Sequence, residues 1–161
     1  LGSSWRYLAE PSGPTASWTT VGFDDGSWSL GNAQFGYGDG DETTLIPFGP
    51  DRWNKYPTTY FRRSVELSTA PSQATLTLVA DDGAVVYING TEVARDNIAN
   101  GPVSYSTLAA TNRSGRGESA VRSFAVPAGV LRAGSNVISV EVHQDSRASS
   151  DMSFDLGLSV S

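Results

Sequence analysis

One short segment combines the side chains that sugar-binding sites use. The residues from Pro47 to Pro57 read PFGPDRWNKYP, with aromatic rings set among charged and amide groups. An aromatic ring offers an apolar face on which a pyranose can stack, and neighbouring polar groups can bind the sugar hydroxyls. The segment therefore predicts a glycan-binding loop, whose binding residues are Arg52, Trp53, Asn54, Lys55 and Tyr56. The alternative is that Trp53 is buried and only fastens the loop to the rest of the protein.

A second polar segment, ATNRSGRGE from Ala110 to Glu118, carries two arginines. The planar fork of a guanidinium fits vicinal hydroxyls or a carboxylate. Arg113 and Arg116 are therefore further candidates for glycan contact, including contact with a uronic acid end group. The alternative is a mobile hairpin tip whose arginines only keep it soluble.

Carboxylates crowd together at Asp39, Asp41 and Glu42, within the Gly-rich run GYGDGDE. They repel one another unless a cation or a basic partner neutralises them, and hard oxygen ligands suit Ca²⁺. We predict a candidate site for a structural calcium ion here, with Asp151 as a ligand from another part of the chain. The spacing differs from that of an EF-hand loop. The alternative is an exposed turn whose carboxylates cap backbone amides.

Two further acidic pairs each precede a glycine, at Asp24-Asp25-Gly26 and Asp81-Asp82-Gly83. Acidic residues before glycine are typical of turns, since their side chains bond the local backbone. We interpret both as turns, one leading to Trp28 and the other into a strand that begins at Ala84.

Catalytic groups are sparse. The only histidine, His143, lies inside a predicted strand without the sharp turn that presents a serine nucleophile. Glu66, Glu141 and Asp155 are able to share a sheet face as a glycosidase carboxylate pair, but arginines such as Arg62 on that face favour a solvated ion network. A glycan chain lying across this polar face is a further alternative, although Tyr60 is one of few aromatic residues there.

Composition excludes several classes of partner. Asp and Glu number 17 against 11 Lys and Arg, a formal net charge of −6. We expect no nucleic-acid and no membrane partner, because both need clustered positive charge or a long apolar run. The absence of cysteine excludes disulfides and thiolate metal sites. Low Lys with abundant Ser, Thr, Gly and Asn favours a secreted bacterial protein.

Period-two alternation dominates the chain. In NVISVEVHQ, Ile138, Val140 and Val142 share one face of a predicted strand, while Glu141 and His143 share the other. Asn89-Gly90 predicts a tight hairpin turn. Other segments with strand patterns are Trp5–Leu8, Gln34–Tyr37, Thr58–Leu67, Ala74–Ala80, Ala84–Asn89, Glu92–Arg95, Val103–Leu108, Ala120–Val126 and Met152–Val160.

These patterns predict an all-β protein, an antiparallel β-sandwich of jelly-roll type in a single domain spanning residues 1–161. The best helical pattern is one turn at Ala128–Leu131. The first 57 residues are rich in aromatic residues and glycine and alternate poorly, so we expect long ordered loops there. Trp5, Trp18 and Trp28 are expected to be structural.

Several motifs carry a family resemblance. The runs FDDGSW at Phe23, DDGAVVYINGTEV at Asp81 and VPAGVLRAGSNVISVEVHQ at Val126 resemble the galactose-binding-domain-like superfamily of jelly rolls. AQFGYGDGDETT, TTYFRR and the final SSDMSFDL resemble modules attached to large secreted bacterial enzymes. The resemblance implies a carbohydrate-binding role and often a structural calcium, although this fold also binds proteins and lipids.

We therefore expect a non-catalytic carbohydrate-binding module that holds a polysaccharide or oligosaccharide and targets a covalently linked catalytic domain to it. As an isolated module it is expected to be a monomer. One alternative is a structural or protein-interaction accessory domain that packs against a neighbouring catalytic domain. The other is a small hydrolase with a carboxylate pair in a pocket.

Overall fold

Two β-sheets face each other in the computed structural model, which describes residues 1–161. Two 3₁₀ helices, Ala16–Thr19 and Gly115–Gly117, are the only helical elements. Neither is long and apolar enough to span a membrane. The strands are β1 Ser4–Leu8, β2 Ser29–Asn32, β3 Phe35–Tyr37, β4 Thr44–Leu45, β5 Thr58–Leu67, β6 Ala74–Asp81, β7 Gly83–Ile88, β8 Thr91–Asp96, β9 Arg122–Ala125, β10 Gly134–His143 and β11 Met152–Val160.

The larger sheet has the strand order β2-β1-β5-β10-β7-β8, and the smaller sheet has the order β4-β3-β11-β6-β9. Neighbouring strands are antiparallel except β3 and β4, which pair in parallel. Neighbours within each sheet are mostly distant in sequence, and from β4 to β7 and from β8 to β11 each successive strand lies in the opposite sheet. The predicted all-β jelly-roll sandwich is therefore confirmed.

The core lies between the sheets, where the alternating apolar residues meet. Val140 and Val142 of β10 are buried there, as the alternation predicts. Phe61 of β5 packs against Phe154 of β11 with ring centroids 4.2 Å apart, which joins the two sheets. The hairpin at Asn89 is also confirmed, since this residue and Gly90 both have positive φ angles between β7 and β8.

The outer face of the larger sheet is covered rather than solvated. Arg62 is almost fully buried there, with its Nε donating to Asp25 at 2.9 Å and Nη1 donating to the carbonyls of Trp18 and Thr20. The long N-terminal loops pack over the strands in this way, and Trp18 and Trp28 are buried beneath them. The prediction of a solvated polar face is therefore wrong, while the prediction of ordered, Trp-anchored loops is confirmed.

Local predictions outside the core strands had different outcomes. Val103–Leu108 is a loop with a turn in which Thr107 N–H donates to Ser104 O. Val103 and Tyr105 pack onto the larger sheet, whereas Leu108 is exposed. The single turn predicted at Ala128–Leu131 is present, since Val130 N–H donates to Pro127 O at 3.4 Å, and it does not continue into a helix. The short edge strands β2 and β4 carry no alternation long enough to be recognised.

Candidate functional site

The predicted glycan-binding loop precedes β5, and hydrogen bonds from Lys55 fix it to the rest of the protein. The side chain of Lys55 is buried, and its Nζ donates to the carbonyls of Arg52 at 2.7 Å and Ser149 at 2.6 Å. The same ammonium lies 5.2 Å from the centre of the Phe48 ring. Lys55 is therefore an anchor of the loop, and its ammonium is not free to bind a glycan as the sequence suggested.

Trp53 stands out from this anchored loop. Its side chain is 67% exposed, so it is not the buried fastener that the alternative interpretation required. Asp51 closes the turn beneath it, since Asp51 Oδ1 accepts the backbone N–H of Trp53 at 2.8 Å. The guanidinium of Arg52 lies 4.9 Å from the centre of the indole ring and restricts its orientation by a cation-π contact.

Two polar residues flank the indole. Asn54 is exposed, and its Oδ1 accepts from Nη1 of Arg147 at 3.5 Å. Arg147 is also exposed, and it enters the site from the segment between β10 and β11, which the sequence offered no reason to select. Arg52, Trp53, Asn54 and Arg147 together are called the Trp53 surface below. Tyr56 lies at its base and is only partly exposed.

The two other predicted arginines have separate environments. Arg113 directs both Nη atoms to the carboxylate of Asp96 at 2.7 Å, and Nη1 also donates to Ala80 O. Its fork is therefore occupied inside the protein, which contradicts the predicted glycan contact. Arg116 is exposed on the short 3₁₀ helix and has no ion-pair partner, so it stays a candidate.

The predicted acidic residues do come together. Carboxylate oxygens of Asp39, Asp41 and Glu42 lie within 4.8 Å of one another, and those of Asp39, Glu118 and Asp151 do the same. Asp39 belongs to both groups, so these acidic residues are able to hold a metal ion. Glu118 was missed because it was interpreted only as the end of the arginine-containing segment.

Glu42 and Asp39 differ in how their negative charges are stabilised. Glu42 already receives the backbone N–H groups of Asp39 at 2.9 Å and Gly40 at 3.0 Å. These bonds outweigh the effect of burial and lower the pKa of Glu42. In contrast, burial raises the pKa of Asp39 despite its bond from Ser153, and nearby Asp151 raises it further.

Asp81 and Asp82 connect β6 to β7, as the turn interpretation predicted, but both are fully buried. The oxygens of Asp82 accept the backbone N–H groups of Arg113 and Asp145, each at 2.8 Å. Neither carboxylate oxygen of Asp81 has a hydrogen-bond partner in the protein. Burial raises the pKa of Asp81, and the neighbouring carboxyl of Asp82 raises it further.

Glu141 and His143 form a buried network on the covered sheet face. His143 Nδ1 lies 2.6 Å from the Thr107 carbonyl, which can only accept, so this nitrogen carries a proton. Nε2 lies 2.8 Å from a carboxylate oxygen of Glu141, and the two groups share one further proton. Asp155 lies on the other sheet, on β11, so it does not form a carboxylate pair with Glu141.

Solved structures with a similar fold are parts of much larger enzymes. A calcium-binding mutant of Bacteroides uniformis beta-glucuronidase 2 matches 89% of this chain with 22% sequence identity and a TM-score of 0.55, and the match covers 14% of that enzyme. A Bifidobacterium dentium beta-glucuronidase matches 89% with 18% identity and a TM-score of 0.53, covering 19% of the enzyme. A beta-glycosidase from Bacteroides vulgatus matches 99% with 15% identity and a TM-score of 0.53, covering 20%.

No protein-family model and no curated protein sequence matches this chain. In length, the chain corresponds to about a fifth or less of each enzyme that it resembles in structure. At these identities the likeness shows the fold alone. The shared fold is a small β-sandwich that forms part of each of these larger enzymes.

Proposed function

We propose that this chain is a non-catalytic accessory domain that binds a glycan on the Trp53 surface and holds a linked catalytic domain near its polysaccharide. The observation that carries the proposal is the 67% exposure of Trp53 on a loop whose backbone is fixed. An indole left in water on a rigid loop is a poor contribution to folding, but it is a preorganised surface for an apolar ring face.

The flanking groups have the chemistry to bind sugar hydroxyls. Arg52 and Arg147 supply donors, and Asn54 supplies both a donor and an acceptor beside the ring. A pyranose stacked on the indole brings its equatorial hydroxyls toward these groups. The platform is shallow, so the affinity of one site is modest, and tethering to an enzyme makes it useful by raising the effective concentration of substrate.

The enzymes that contain a similar fold support the proposal that this chain belongs to a larger glycan-processing enzyme. They are named as enzymes that act on glucuronides and other glycosides, and the matching region is a small part of each. A chain of this kind fits an accessory domain of a secreted bacterial enzyme, joined covalently to its catalytic domain and monomeric when isolated.

Affinity electrophoresis through gels containing different polysaccharides tests the proposal. We expect wild-type chain to be retarded by at least one neutral or uronic-acid polysaccharide, and Trp53→Ala to lose this retardation. Trp53→Tyr is expected to restore part of it, since a ring face remains. Leu45→Ala is a matched control, because Leu45 is 70% exposed and apolar but lies outside the Trp53 surface.

Melting temperatures separate a binding defect from a folding defect. Substitution of an exposed side chain changes stability by roughly 0.5 kcal/mol or less, so Trp53→Ala is expected to melt within a few degrees of wild type. Retardation that persists in a folded Trp53→Ala variant contradicts the proposal, as does the absence of retardation on every polysaccharide.

A second candidate function has its own observation. Leu30 on β2 is 62% exposed and Leu45 on β4 is 70% exposed. Their strands meet at one side of the sandwich, where Thr44 Oγ1 bonds both the N–H and the carbonyl of Asn32. Exposed leucines on adjacent edge strands fit a surface that packs against a neighbouring domain. This role predicts no glycan binding and loss of domain docking in a Leu30→Ser, Leu45→Ser double variant.

A further inference from the structure

We propose that the cavity between residues 13–18 and residues 103–105 binds a small organic ammonium ion, with the carboxylate of Glu141 as its counter-charge. This cavity lies on the outer face of the larger sheet, where the covering loops leave a space above β5 and β10. The proposal is independent of glycan binding at the Trp53 surface.

The cavity is preformed and suits a small ligand. Its volume is about 370 Å³, at the small end of the range of about 300–1,000 Å³ that small-molecule sites occupy. Tyr60 and Glu141, which both line it, lie directly opposite each other in the pairing of β5 with β10. The Tyr105 hydroxyl donates to the Glu10 carbonyl at 2.8 Å, and Thr58 Oγ1 donates to the Tyr105 carbonyl at 2.6 Å. These bonds fix the loop that carries Tyr105 both to the N-terminal segment and to β5.

Two buried polar groups on the cavity lack partners in the protein. Glu141 is 6% exposed, and of its two carboxylate oxygens only Oε1 has a hydrogen-bond partner, which is His143 Nε2 at 2.8 Å. The hydroxyl of the buried Tyr60 also has no hydrogen-bond partner in the protein. Gly13 leaves this hydroxyl open, since a Cβ there would lie 2.8 Å from it. Buried polar groups are normally hydrogen-bonded, so these two require a ligand or water.

The charges around the cavity favour a cation. Glu141 lines the cavity, whereas His143, which shares a proton with it, does not, so the pair directs its negative end toward the cavity. No lysine or arginine lines the cavity. An anion would therefore be repelled, and a positively charged ligand would be attracted.

The walls favour an organic ammonium ion over a sugar. Trp18, Tyr60 and Tyr105 supply aromatic rings, and an ammonium ion is attracted to the face of such a ring, most strongly where water is excluded. The rings of Trp18 and Tyr60 pack edge to face with their centroids 5.0 Å apart, which fixes their orientation. A pyranose needs partners for several hydroxyls, and the cavity has no amide or basic side chain to bind them. An alkylated ammonium ion needs only one counter-charge in apolar surroundings.

Calorimetric titrations with tetramethylammonium chloride and choline chloride, at constant ionic strength, test the proposal. We expect both cations to bind, and neohexanol, the uncharged carbon analogue of choline, to bind more weakly by about tenfold or more. Glu141→Gln keeps the shape of the side chain and removes its charge, so it is expected to weaken binding of both cations by about tenfold or more. Trp53→Ala is expected to bind them as wild type does, because Trp53 lies outside the cavity.

Ala16→Lys tests the effect of charge without altering the buried network. Ala16 is exposed and lines the cavity, so a lysine there places an ammonium group that repels the ligand. Thr91→Lys is the matched control, because it adds the same charge at an exposed position of β8 outside the cavity. Melting temperatures show which variants are folded. If Glu141→Gln does not fold, Ala16→Lys decides the question.

Four results would overturn the proposal. The absence of binding heat with both cations would assign the cavity to water. Equal affinity for choline and neohexanol, or binding of glucose or galactose in place of the cations, would remove the role of the positive charge. Unchanged cation affinity in folded Glu141→Gln and Ala16→Lys variants would exclude this cavity. Loss of cation binding in Trp53→Ala would move the ion to the Trp53 surface.

Discussion

Lys55 Nζ donates to the carbonyl of Ser149 at 2.6 Å, across 94 positions of sequence. This bond joins the loop that carries Trp53 to the segment that carries Arg147 and ends at Asp151. One buried ammonium therefore connects the two halves of the Trp53 surface, and it also connects that surface to the acidic cluster. The Trp53 surface and the acidic residues Asp39, Glu118 and Asp151 are therefore linked through the short segment that contains Ser149.

Lys55→Met is expected to destabilise the fold by about 1–3 kcal/mol, because it leaves the buried carbonyl of Ser149 without a donor, whereas the partly buried carbonyl of Arg52 can bond water. Urea unfolding measures this change in the free energy of unfolding. Arg52→Met serves as the control, since Arg52 is exposed and only its backbone carbonyl is used by Lys55. A Lys55→Met variant as stable as wild type would show that the bond contributes nothing.

The strand pattern was predictable because it is local. Alternation in β5, β10 and β11 depends on which side chains face the core, and a sequence shows that directly. The fate of Glu141 and His143 was not predictable, because it depends on loops distant in sequence that cover the outer face. An exposed polar face and a covered one have the same alternation.

Features that depend on one contiguous segment could be predicted. Exposure of Trp53 was one of the two interpretations that its segment allowed, and the clustering of Asp39, Asp41 and Glu42 follows from their spacing. Lys55 and Arg113 were misassigned for the same physical reason, since a long basic side chain reaches partners that only the tertiary fold provides. The sequence pattern at Asp81 is the same as that of the acidic turn at Asp24. The structure separates them, because Asp24 is exposed and accepts the N–H of Gly26, whereas Asp81 is fully buried.

Calcium is expected to slow trypsin cleavage after Arg116 and Arg147. Arg116 lies two residues before Glu118, and Arg147 precedes Asp151 in the same connection. An ion held by these acidic residues restrains both exposed segments, and proteolysis requires local opening. Mass spectrometry of timed digests in calcium and in chelator measures the effect. Cleavage after Arg132, which lies in another exposed turn, is the internal control. A uniform change at all three sites would indicate global stabilisation only.

Alkaline solution is expected to destabilise the protein through Tyr60 and Tyr87. Burial raises the pKa of both phenols, and the neighbouring Glu141 raises them further. Unfolded tyrosine ionises near pH 10, so the stabilising difference is complete below about pH 10 and is lost as the pH rises above it. Urea unfolding at increasing pH should show a falling free energy of unfolding above that point. Tyr60→Phe should reduce the slope, and an unchanged slope would exclude Tyr60 as a source.

Arg62→Met is expected to release the N-terminal loops from the larger sheet. The guanidinium of Arg62 bonds the partly exposed Asp25 carboxylate and the carbonyls of Trp18 and Thr20, so its loss leaves the buried Trp18 carbonyl without a donor at about 1–3 kcal/mol. Exposure of Trp18 and Trp28 should shift tryptophan emission to longer wavelength before the main unfolding transition. Arg63→Met is the matched control, because Arg63 is the next residue of β5 and takes part in no ion pair. If Arg62→Met keeps wild-type emission and a single transition, the loops are held by their aromatic contacts rather than by this arginine.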